Sequence, residues 1–213
     1  MAVVTTGFKV ATHGFRFSNR FDFSLDFQLP LVGAIDLGDI VYGLCGGMCF
    51  TVLDYFHANL PPPSQDTPPD EGTDLHSYLL DRQVDSMNLP RGVVKVLEWM
   101  IRSDEDVGRL TAGREFSKLR GRIERGDPTV LVLIRVGAFE DPTKNHQVVA
   151  LGYEFDPSTK VLRAPVYDPN HSSASVWLTM NFTNPRQGIQ ATQSTGEQLR
   201  GFFVTDYQPR IPN

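Results

Sequence analysis

The spacing of apolar residues changes once along the chain, near Pro128. Before that point they recur three and four residues apart. In residues 43–59, GLCGGMCFTVLDYFHAN, Cys45, Met48, Cys49, Val52 and Phe56 share one face at 3.6 residues per turn, and Asp54 and His57 fall away from its centre. This predicts a buried or half-buried helix from Leu44 or Cys45, closed by Asn59 and barred from continuing by Pro61. Leu75–Ser86 is a second helical stretch. A third begins at Pro90, whose missing N–H would be unpaired in a first turn anyway, and carries Val93, Val94, Val96, Leu97, Met100 and Ile101 as a wide apolar face. Thr111–Arg125 is a further helix, with Phe116, Leu119 and Ile123 inward and Gly126 as its stop.

After Pro128 the apolar runs become short and rich in β-branched residues. They cover 129–136, 146–154, 160–167, 175–182 and 201–207, with turn signals at DPST (156–159) and DPNH (168–171). Helices followed by hairpin-linked strands predict an α+β fold with a mostly antiparallel sheet. The N-terminal stretch is different again. It carries Phe8, Phe15, Phe17, Phe21, Phe23 and Phe27, and from Phe15 to Phe27 they alternate in part with polar residues, which suits extended, half-buried segments packed as a lid or edge onto the core, with an aromatic ligand-binding surface as the alternative. The expected organisation is one domain over residues 1–213. It comprises an aromatic-rich segment (1–40), a helical part (41–126) and a sheet part (127–213). Within the helical part, residues 61–74 hold five of the fifteen prolines and form an exposed loop.

Composition narrows the possibilities. A chain of 213 residues can bury roughly 70% of its unfolded surface, so it needs no disulfide or metal to fold. Hydrophobic residues at 40% and charged residues at 21% are globular values. Twenty basic against 25 acidic residues exclude a broadly basic nucleic-acid binder. No apolar run approaches the roughly 20 residues of a membrane span. The opening MAVVTTGFKVATHGF lacks the basic start and apolar core of a secretory signal. The two cysteines, Cys45 and Cys49, would need distortion to bridge within a helix. They are expected to be reduced, which fits a cytoplasmic protein or one exported by a signal-independent route. As a zinc pair they lack company, because His13, His57, His76, His146 and His171 include no close pair. LCGGM lacks the Gly-Lys-Ser/Thr of a phosphate loop. No metal and no cofactor are expected.

Three places combine reactive side chains with unusual backbone. Cys45 opens a helix and is followed by Gly46 and Gly47. Each helical glycine costs about 1 kcal/mol against alanine, so the pair implies that another segment packs close by. A helix N-terminus also favours the thiolate, which is the nucleophilic form. His146 opens the strand HQVVALGYE. Asp168 follows the strand KVLRAPVY, which a short turn joins to the first. Antiparallel pairing of these two strands brings the start of one beside the end of the next, so His146 and Asp168 should be neighbours. Taken alone, each has a plainer reading: a packed thiol, a surface histidine and an Asp-Pro turn starter. Together they have the elements of a nucleophile, a base and an orienting carboxylate.

In the order Cys, His, Asp, with the cysteine at a helix start and HQVVALGY and VYDP supplying the other two, the chain resembles the papain-like cysteine peptidase superfamily, in a divergent bacterial form. The resemblance implies a papain-like fold and a thiol-dependent hydrolase acting on a peptide or protein through an acyl-enzyme. Carried over, Cys45 is nucleophile, His146 general base and Asp168 orienter, with Asn170 as alternate orienter. Papain's Cys-Gly-Ser-Cys-Trp segment would instead align its attacking cysteine with Cys49. Cys45 is preferred because it is nearer the helix start and flanked by glycines. Papain-like enzymes also carry a glutamine shortly before the nucleophile as oxyanion donor. This chain has none between Gln28 and Gln65, and the ionised Asp39 cannot donate. The Cys45 backbone N–H, aided by Asn19, is the expected replacement. A non-catalytic binding module of the same fold, or an acyltransferase or deamidase using the same triad, is the alternative. The substrate's identity and the oligomeric state are left open.

Overall fold

The structure, a computed structural model, describes residues 2–21, 23–24, 41–89 and 91–212. Phe27, Gln28, Asp39 and Pro90 lie outside these residues, as does the side chain of Phe23. In chain order the N-terminal elements are β1 (Ala2–Thr5), the one-turn α1 (Val10–His13), β2 (Phe23–Ser24) and β3 (Val41–Tyr42). Helices follow: α2 (Cys45–His57), α3 (Asp74–Met87), α4 (Arg91–Ile101), α5 (Asp104–Leu110) and α6 (Phe116–Ile123). The strands of the second half are β4 (Thr129–Ile134), β5 (His146–Ala150), β6 (Gly152–Asp156), β7 (Val161–Tyr167), β8 (Val176–Asn181), β9 (Gln190–Gln193), β10 (Gln198–Leu199) and β11 (Gly201–Val204).

The fold is α+β, and its large sheet is antiparallel at every pairing of named strands. The order is β10-β9-β8-β7-β5-β4-β11, with β6 bridging β1 and β7. All six residues of β4 are buried, because helices cover both of its faces. Leu131 and Leu133 pack with Phe116, Leu119 and Ile123 of α6. On the opposite face Val130 meets Met48, Cys49 and Val52 of α2, and Val132 and Ile134 meet Trp99 of α4. β8 shows the other pattern: Val176, Leu178 and Met180 are buried, and the residues between them are half-buried.

Several boundaries differ from the sequence reading. The expected strand 146–154 breaks at Leu151, whose N–H donates to Pro165 O at 2.9 Å and whose carbonyl accepts from Thr6 at 2.8 Å. β6 pairs with β7 as a hairpin, whereas β5 touches β7 only through Val149–Tyr167 and Ala150–Val166. The N-terminus supplies a sheet strand, because β1 lies along β6. The expected helix 111–125 runs continuously from α5 through a π-turn at Thr111–Glu115, with Phe116, Leu119 and Ile123 buried as expected. The wide apolar face of α4 is only partly covered: Trp99 and Met100 are buried, while Val94 and Ile101 are exposed. Of the aromatic N-terminal residues, Phe8, Phe15 and Phe17 are core residues, with Phe15 stacked on Phe17.

Asp54 was expected off the apolar stripe, and it is fully buried. The C-terminal tail and α3 close over that side of α2. Asp54 Oδ2 meets Arg82 Nε at 2.7 Å and accepts from Tyr78 OH at 2.9 Å. Its Oδ1 accepts from Tyr207 OH at 2.7 Å and from the Arg210 N–H at 2.9 Å. A charge buried to this degree is tolerated only when paired and hydrogen-bonded. Among the described residues no helix is long and apolar enough to cross a membrane.

Candidate active site

The double glycine lets α2 and α3 approach closely. A Cβ on Gly46 would lie 2.0 Å from Ser86 Oγ, and one on Gly47 would lie 2.2 Å from the Leu79 carbonyl. The Gly47 N–H donates to Gln83 Oε1 at 2.7 Å, so α3 also occupies one of the orphan donors of the helix start. Cys45 is the first residue of α2 and is half-buried. Cys49, one turn on, is fully buried and donates to Gln147 O at 3.5 Å. Leu44, just before the helix, donates its N–H to Asn19 Oδ1 at 2.9 Å.

His146 begins β5, and Asp168 follows β7. The pairing of Val149 with Tyr167 sets them side by side, and His146 Nε2 lies 2.7 Å from Asp168 Oδ1. Both are buried. Asp168 also caps the turn at Pro169–His171, its Oδ1 accepting from the Asn170 N–H at 2.8 Å. The turn-starter role and the His146 contact are therefore filled by the same carboxylate. Asn170 sends its backbone N–H to Asp168. Its side-chain oxygen accepts from Asn19 Nδ2 at 3.0 Å, so it does not stand in Asp168's place against the ring. Asn19 splints the Asp168 turn to the start of α2.

With Nε2 committed to Asp168, Nδ1 is the ring nitrogen left for Cys45. Burial alone would raise the Cys45 thiol. The hydrogen bond and charge of His146, with backbone N–H groups of Gln147 and Gly46, outweigh it, and the thiol titrates below its usual range. His146 moves the other way. Burial would lower it, but Asp168 and Cys45 push it up to about 9. Asp168 sits below the usual carboxylate range: burial opposes ionisation, and the hydrogen bond and charge of His146 prevail. These shifts together favour thiolate and imidazolium over thiol and imidazole. Cys49 is the contrast. Burial, then the charges of Cys45 and Asp168, hold its thiol well above the usual value.

Cys45 and His146 open onto a cavity of about 90 Å³ between α3, α4 and the sheet. Val93, Val96, Leu97, Val132 and Phe203 form its apolar wall, and among the described residues no Asp, Glu, Lys or Arg lines it. Gln83 and Gln147 line it near the thiol, and neither was foreseen. Gln147 donates through Nε2 to Ser86 Oγ at 3.3 Å, and its Oε1 is buried without a partner among the described residues. Gln193, a third residue missed from sequence, donates to Asp168 Oδ2 at 2.5 Å. The sequence reading places no element at 190–193, so nothing there singled it out. Among the described residues no group of three His, Cys, Asp or Glu is arranged to hold a metal ion. Comparison with known proteins found no matching family model, no matching curated protein and no matching solved structure.

Proposed function

We propose that this chain is a thiol-dependent hydrolase of papain-like design that cleaves a peptide or isopeptide bond through an acyl-enzyme. The observation that carries the reading is the buried His146, bonded to Asp168 through Nε2 and lining one cavity with the helix-start Cys45. Cys45 Sγ attacks the substrate carbonyl carbon. The C–N bond breaks, and the proton on His146 Nδ1 goes to the leaving amine. Water then attacks the thioester, with His146 taking its proton, and the acid leaves as the Cys45 thiolate and His146 imidazolium re-form. The Cys45 N–H, without a partner inside the helix, is the first candidate for stabilising the oxyanion. Cys49 is deep in the α2 core and serves packing.

The cavity wall suits an uncharged aliphatic group on the acyl side of the substrate, so test peptides carry such a residue. In the His146→Ala variant, turnover should vanish while the far-ultraviolet dichroism stays unchanged. Turnover equal to the unaltered protein would refute the assignment. Cys45→Ser should likewise lose turnover and fail to accumulate a thioester detectable by mass.

A further inference from the structure

Asp168 is buried with both oxygens engaged, and the triad chemistry accounts for only one of them. Its Oδ2 accepts from Gln193 Nε2 at 2.5 Å. Gln193 is itself buried. Its Nε2 also donates to Thr195 Oγ1 at 2.8 Å, and its Oε1 accepts from Arg135 Nη2 at 3.0 Å. Both amide hydrogens and the carbonyl oxygen are therefore in use.

This arrangement admits one orientation. A guanidinium has no acceptor and a carboxylate has no donor. Only an amide held with its oxygen toward Arg135 and its nitrogen toward Asp168 satisfies both. A 180° flip would set donor against donor and acceptor against acceptor. The amide also keeps Arg135 at one remove. An arginine in direct bidentate contact would compete with His146 for the carboxylate. Arg135 follows β4, and its backbone N–H donates to Asn145 Oδ1 at 3.0 Å, so the same residue braces the position before His146. Gln193 comes from β9 and thereby ties that strand to Asp168 directly and, through Arg135, to Asn145 beside His146.

We propose that Gln193 is a positioning residue: oriented by Arg135, it holds the Asp168 carboxylate ionised and aimed at His146. This rests on the triad reading above, but it can be tested separately. The groups around Asp168 are His146 from β5, Tyr167 at the end of β7, His171 from its own turn, Arg135 through Gln193, Glu197 beyond Thr195, and the Cys49 thiol from α2, with the Cys45 thiol acting on His146. The experiment therefore uses a Cys45→Ala background, which removes the thiolate and makes both readouts independent of any nucleophile.

Two NMR quantities are compared with and without Gln193→Leu: the carboxyl ¹³C titration of Asp168 and the solvent exchange of the His146 Nε2 proton. Loss of a charge-assisted donor from the buried Oδ2 should raise the Asp168 titration by about one pH unit. A carboxylate free to turn should let the ring proton exchange about tenfold faster. Arg135→Met, which leaves the amide free to flip, should move both in the same direction by less. If Gln193→Leu does not fold, Gln193→Asn, one methylene too short to span both partners, gives the same comparison. Neither quantity moving overturns the proposal. A shifted carboxyl titration with unchanged ring exchange also overturns it, because Gln193 would then solvate the carboxylate without aiming it. A Cys45 that is unreactive in the unaltered chain counts against the hydrolase reading and not against Gln193.

Discussion

Gly47→Ala sets two effects of known sign against each other. In an exposed helix the exchange stabilises by about 1 kcal/mol, because alanine is the better helix former. At Gly47 the added Cβ would lie 2.2 Å from the Leu79 carbonyl and 3.0 Å from the Gln83 nitrogen, both backbone atoms of α3. Ordinary contact begins at roughly 3.5 Å, so α3 would have to retreat by about 1 Å. Forced overpacking of this kind costs about 1–3 kcal/mol. The bond from the Gly47 N–H to Gln83 Oε1, now 2.7 Å, would stretch and lose roughly another 1 kcal/mol. The net is a destabilisation of about 1–3 kcal/mol, or about 5 °C in Tm for a chain of this size. Gly121, within α6, is the control, since its Cβ would meet only the tip of Arg125 at 3.8 Å. Gly121→Ala should raise Tm slightly. Thermal melts followed by circular dichroism decide the matter. A Gly47→Ala protein at least as stable as the unaltered one would refute the claim that this glycine is there for the approach of α3.

Three further outcomes follow from the same structure. Asp54→Ala leaves Arg82, which is 2% exposed, without its main counter-charge, and two tyrosine hydroxyls without an acceptor. It should cost about 3–5 kcal/mol in urea unfolding, and a loss under about 1 kcal/mol would show the network to be dispensable. Cys49→Ala removes a fully buried thiol and should cost about 1 kcal/mol while Cys45 keeps its reactivity; if it abolishes labelling of Cys45, the roles of the two cysteines are misassigned. The third concerns pH. The ordinary histidine value of 6.5 rises to about 9 in the folded chain, so the stability contributed by protonated His146 is complete below pH 6.5 and lost as pH climbs through 9. Cys45, shifted down from 9.0, has the opposite sense: its share is present above 9.0 and fades as pH falls through the lowered value. In a Cys45→Ala background, which removes the opposing share of the thiolate and leaves the Asp168 bond to hold the ring charged, the stability gap made by His146→Ala should therefore narrow as pH rises from about 6 to about 9.5, and a gap that widens would contradict the direction of the histidine shift.

Much of the candidate site follows from local signals. Two turn signals bounded β7, and strand pairing alone then set His146 beside Asp168. The glycine pair announced a close approach, and α3 makes it. What local pattern could not supply was anything that depends on distant partners. Asp54 lies in an apolar helix, and the residues that pay for its burial come from α3 and from 207–210, too far along the chain for any periodicity to link them. Gln193 matters because of Arg135 and Asp168, which lie 58 and 25 residues away. The half-covered face of α4 is read as core by pattern, yet part of it lines the cavity beside Cys45. β1 is only the four residues Ala2–Thr5, too short a run for the pattern to separate it from the aromatic-rich segment that follows. The papain-like resemblance rests on the order of Cys45, His146 and Asp168 and the short motifs around them.

The central claim is an activated Cys45 thiolate paired with His146. Its most direct test is the rate of iodoacetamide labelling from pH 4 to pH 10, with peptide mass spectrometry to assign each cysteine. Cys45 should label rapidly down to about pH 5 and lose that low-pH reactivity in His146→Ala, while Cys49 stays unlabelled in the folded chain. Labelling of Cys45 that rises only near pH 8–9, as for an ordinary thiol, would contradict the ion pair and the hydrolase built on it.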